Sequence, residues 1–149
     1  MKIYISAQAQ QQRDIASHVQ AQALVVIDHL LKLVIMPHND ARNHWQGEIA
    51  GHLKTVQKLK RTNRPPSEDL LFKWMFTDNG DYISDIRLIQ TAVEDCVTDY
   101  DFEYTGDINF LRNRFIRVCQ NYFGWLSQQL SEHQFISSRT IYNKLDELV

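Results

Sequence analysis

The string His29-Leu30-Leu31-Lys32, followed by Pro37, Trp45 and Ile49, decides how the chain is read. Upstream of it, residues 6–36 contain neither Gly nor Pro and are rich in Ala and Gln, good helix formers. Ile15, Val19, Ala23, Val26, Leu30, Leu33 and Val34 recur at helical spacing. The apolar face widens after Leu24, so the second half of this helix is expected to be the more buried and the Gln-rich first half solvated. Pro37 cannot continue a helix and disfavours helical geometry at Met36. Trp45, Ile49, His52 or Leu53, Val56 and Leu59 then form a second amphipathic face. Two apolar helices meeting at a proline elbow predict a helical bundle.

The remainder fits that class. His38-Asn39-Asp40 offers caps for the second helix. Ser67, with Glu68 and Asp69 behind it, should start a short third helix carrying Leu70, Leu71, Trp74 and Met75. Thr77–Asp81 reads as a turn connecting two helices, because Asn79-Gly80 tolerates positive φ. A fourth helix is expected over about Tyr82–Thr98, with Ile86, Ile89 or Gln90, Val93 and Val97 inward. The acidic link Asp99–Asp107 alternates like a strand but is short. Asp107 should cap a fifth helix burying Ile108, Leu111, Phe115, Val118 or Cys119, and Tyr122. Gly124 kinks it or divides it from Trp125–His133. A last helix should run from Ser137 or Ser138 to Val149. The expectation is an all-α, single-domain bundle of five or six helices over residues 1–149, bent at Pro37.

Bulk properties agree. The chain has 149 residues, 44% hydrophobic and 23% charged, with a net charge of −2. That length can bury one core, and the charge gives no general attraction to nucleic acid or membrane. Cys96 and Cys119 form no CxxC pair, so they are expected to be reduced, buried thiols in a cytoplasmic protein. The N-terminus lacks the apolar core of a signal peptide. The longest apolar run, interrupted by Asp28, His29 and Lys32, reads as too short and too polar to cross a bilayer.

At the elbow, residues about 7–63 resemble a bacterial family of uncharacterised helical proteins, known as domain of unknown function twenty-nine. The resemblance rests on His29-Leu30-Leu31-Lys32, Pro37, Trp45 and Ile49. The spacing from Pro37 to Trp45 is about one residue longer than the family's, and residues 64–149 carry no matching pattern. The resemblance implies an all-α fold and transfers no catalytic residue.

Four groups of residues invite a chemical reading. His44, Glu48 and His52 recur at i, i+4 and i+8, so one helix face could present two imidazoles and a carboxylate to zinc or iron. Arg13 and His18 resemble the active-site motif of the helical ribonucleases called HEPN domains, in which Arg and His act on a phosphodiester. Phe135–Leu148 resembles a helix-turn-helix recognition segment, with Ser138, Arg139, Thr140, Tyr142, Asn143 and Lys144 towards DNA and Phe123–Leu130 as the preceding helix. In that segment Ser131–Gln134 makes too long a turn. Basic residues Lys54, Lys58, Lys60, Arg61 and Arg64 could add phosphate contacts, although cations at a helix C-terminus also suit its dipole. Asp99, Asp101 and Glu103 do not make a calcium loop, because Tyr104 and Phe110 stand where Gly and Glu are needed. There is no P-loop, GxGxxG or GxSxG. The default expectation is therefore a non-enzymatic binding or scaffold protein without a cofactor. Its partner would be a protein or a second copy; DNA binding is the first alternative and ribonuclease activity the second, with no membrane partner.

Overall fold

A computed structural model describes residues 6–58, 65–133 and 135–149. The order is α1 (Ala7–Ile35), α2 (Arg42–Gln57), α3 (Glu68–Phe72), a π-helical segment (Lys73–Thr77), α4 (Gly80–Ser84), α5 (Ile86–Tyr100), α6 (Ile108–Glu132) and α7 (Ser138–Leu148). Five of these helices are long, and α3 and α4 are single-turn pieces between them. The fold is an all-α bundle, as the periodicity predicts, and the link 99–107 forms no strand. Leu59 and the basic residues Lys60, Arg61 and Arg64 lie outside the described residues, as does Gln134.

The second half of α1 runs through the centre. Val26, Ile27, Leu30, Leu31, Leu33, Val34 and Ile35 are all buried, while Gln10 to Asp14 are exposed. Around this axis pack α2, the π-helical segment, α5 and α6. The stretch Ala9–Ile35 is long and apolar enough to cross a membrane by length and composition alone, which corrects the reading that it is too short and too polar. Half of its most apolar 18-residue window is buried inside the fold, as expected for a helix at the core of a bundle.

The elbow forms where Pro37 requires it. The Met36 amide still donates to the Lys32 carbonyl at 2.9 Å, and α1 stops there. Ala41 stands at the N-cap of α2 and no side chain caps it, which corrects the expectation for His38-Asn39-Asp40; Asn39 Oδ1 instead accepts from the Ala41 amide at 2.8 Å and sets the turn into α2. Arg42 then reaches back to the Pro37 carbonyl at 2.9 Å and across to Asp146 of α7, which also accepts from Gln46 at 2.8 Å. Trp45 is buried and meets Tyr100, the last residue of α5, edge to face at 5.4 Å. One turn of α2 thus ties the elbow to both α5 and α7.

Local geometry corrects several expectations. The Asn79-Gly80 turn needs no positive φ: Asn79 has φ −99°, is buried, and donates to the Met75 carbonyl at 2.9 Å. The expected helix Tyr82–Thr98 is divided at Asp85, whose extended backbone ends α4 and whose side chain caps α5 by accepting from the Arg87 amide at 2.9 Å. Because α5 packs between α1 and α6, the residue buried in its last turns is Cys96, and Val97 is 47% exposed. Gly124 does not divide α6, which runs unbroken for 25 residues. Caps at Ser67, Asp107 and Ser137 form as the sequence predicts.

Candidate binding cleft between α1 and α5

Asp28, Leu31 and Lys32 sit at i, i+3 and i+4 on α1, so they share one face. The facing stripe of α5 is Leu88, Thr91-Ala92, Asp95-Cys96 and Asp99-Tyr100, again at helical spacing. Between them lies a cleft of about 320 Å³, lined also by Tyr82 of α4. This volume is at the small end of the range for ligand pockets. Its floor is apolar, from Leu31, Leu88, Ala92 and Cys96, and its edges carry Asp28, Asp95 and Asp99. Two of the four residues of the string at the elbow, Leu31 and Lys32, therefore line it, and Trp45 braces its Tyr100 wall.

The groups in the cleft are held in place. Tyr82 Oη donates to Asp28 Oδ1 at 2.6 Å, which anchors α4 to α1. Burial, then that hydrogen bond and the Asp28 charge, push the Tyr82 phenol well above its ordinary value. Burial likewise raises the Cys96 thiol; Lys32 opposes the shift, and Asp95 and Asp99 add to it. Cys96 is therefore a protonated thiol in the floor rather than a nucleophile. Cys119 is deeper and is raised by burial alone.

The sequence singled out other residues, and the structure disperses them. Arg13 and His18 are both exposed in the first half of α1, about 140° apart around its axis at 3.6 residues per turn. His44 and Glu48 approach only to 3.9 Å and are exposed, whereas His52 turns towards α1, where its Nδ1–H donates to Gln22 Oε1 at 2.5 Å. Among the described residues no three His, Cys, Asp or Glu side chains are grouped so as to hold a metal ion, and His44, Glu48 and His52 are not brought together. His29 Nδ1–H donates to the Val25 carbonyl at 2.7 Å on its own helix.

The C-terminal segment is likewise divided. The expected first helix, Phe123–Leu130, is part of the continuous α6, and α7 packs on α2 as well as on α6. Ser138, Arg139 and Asn143 are exposed. Thr140 is hydrogen-bonded to Ser137 at 3.0 Å, and the Tyr142 hydroxyl lies over Gly47, 3.5 Å from where a Cβ would stand. Lys144 lies 5.7 Å from the centre of the Trp125 ring and pairs with Glu147 at 3.2 Å. Three of the six residues thus make contacts within the fold.

Reading the sequence by motif missed the cleft, because its residues belong to no motif. The available signal was the pair of facing stripes: Asp28 with Lys32, and Asp95 with Asp99, each one helical turn apart beside apolar neighbours. Comparison with protein-family models, with curated proteins and with solved structures finds no match to this chain, so the likeness at the elbow rests on its quoted residues alone.

Proposed function

We propose that this chain is a non-enzymatic binding module whose ligand enters the cleft between α1 and α5. The observation that carries this reading is a concave site of about 320 Å³ with an apolar floor and polar edges, built on two packed helices. The groups that line it suit binding better than catalysis. Its thiol is held protonated, its phenol is pushed up, and its carboxylates lie beside no imidazole of the lining.

The test is a collection of small fragments screened by thermal shift against the wild type and against Ala92→Phe, which fills the floor. Fragments that stabilise the wild type should lose their effect in the filled variant. Fragments that stabilise both equally would place binding elsewhere and refute the reading.

A further inference from the structure

The charges around the cleft narrow its ligand to one chemical class. Asp28, Asp95 and Asp99 stand against a single ammonium, Lys32, so the lining carries two excess negative charges. Among the described residues, the ion pairs lie elsewhere, and none joins Lys32 to these carboxylates. The α5 wall belongs to an acidic stretch of the chain. Residues 78–107 hold nine of the eighteen Asp and Glu and one cation, Arg87, which is paired with Asp85 at 3.0 Å. An anionic ligand is repelled here, and a neutral one leaves the excess charge unbalanced, since Asp28 is paired only with the neutral Tyr82 hydroxyl. A monocation balances half of the excess. A dication with an aliphatic body matches both the charge and the apolar floor.

We propose that the α1–α5 cleft binds a linear aliphatic diamine or polyamine, with its ammonium groups at the edge carboxylates and its methylenes on Leu31, Leu88 and Ala92. This rests on the cleft being the binding site. The cavity defines the site, and the carboxylates define only what enters it. Lys32 then acts as a built-in competitor at one end.

Calorimetric titration of the full chain at low salt with 1,5-diaminopentane, n-pentylamine and pentanedioate tests the proposal. The diamine should bind about tenfold or more tightly than the monoamine, since it gains a second charge-assisted contact, and the dicarboxylate should not bind. Asp95→Asn and Asp99→Asn should each weaken the diamine by about tenfold. Glu94→Gln, on the exposed face of α5, should leave it unchanged, and Lys32→Gln should tighten it. Equal binding of monoamine and diamine overturns the proposal. So does a loss in Glu94→Gln as large as in Asp99→Asn, which would mean general attraction to an acidic surface. If the diamine does not bind while fragments bind and are excluded by Ala92→Phe, the dication is wrong and the cleft stands. If neither binds, both fall.

Discussion

Burial of His52 at the seam of α1 and α2 lowers its pKa from the ordinary 6.5; the neighbouring His29 adds to this and Glu48 opposes it. The neutral ring is the form the fold accepts, with its Nδ1–H on Gln22. Above pH 6.5 both folded and unfolded chains hold it neutral, so its contribution is complete. As pH falls below 6.5 the unfolded chain takes up the proton first, and stability declines until the folded ring protonates too. Denaturant titrations at stepped pH should show this loss, and His52→Gln should flatten that part of the profile. A profile identical in wild type and variant would remove His52 as its source. The sequence marked His52 as a metal ligand because it shows spacing, whereas what decides the role of an imidazole is the partner across the seam. His29 likewise gives its Nδ1–H to the carbonyl four residues back.

At the scale of the elements, the elbow was legible because its main steps have a local cause: an apolar face, a proline stop and a buried tryptophan; only the expected side-chain cap gives way to an Asx turn at Asn39. What local sequence left open was set by neighbours. Gly124 reads as a break, yet α6 buries Tyr122, Phe123, Leu126 and Ser127 on both sides of it, and that packing outweighs the roughly 1 kcal/mol cost of a helical glycine. A Cβ there would meet Phe72 at 3.6 Å, an ordinary contact. Gly124→Ala should therefore stabilise the fold by up to about 1 kcal/mol in denaturant unfolding; destabilisation would mean the helix needs glycine there. Asp101 ends α5 at φ 53°, a left-handed conformation that costs a non-glycine residue energy. Asp101→Gly should gain about 0.5 kcal/mol or more by the same measurement, and a loss would show that the Asp side chain stabilises the cap. Trp45→Ala should cost about 3–5 kcal/mol, as large-to-small core changes do. It should also weaken ligand binding through Tyr100, whereas Trp45→Phe should largely keep both.

Taken as a whole, the molecule separates its charge. The acidic run from Asp78 to Asp107 holds half of the Asp and Glu, while the net charge of the chain is only −2, so the rest is on balance basic. Net charge alone therefore hid the feature that would select a ligand. The fold class followed from periodicity, but the cleft did not. Its two walls are 56 or more residues apart in sequence, and only the packing of α5 on α1 joins Asp28 and Lys32 to Asp95 and Asp99. The central claim is that this cleft is where the protein binds. Amide-resonance mapping of the labelled full chain against the stabilising fragments tests it most directly. The account predicts shifts concentrated at Asp28–Lys32, Tyr82 and Leu88–Tyr100. Shifts centred instead on Ser138–Lys144, or on the seam at His44–His52, would contradict it.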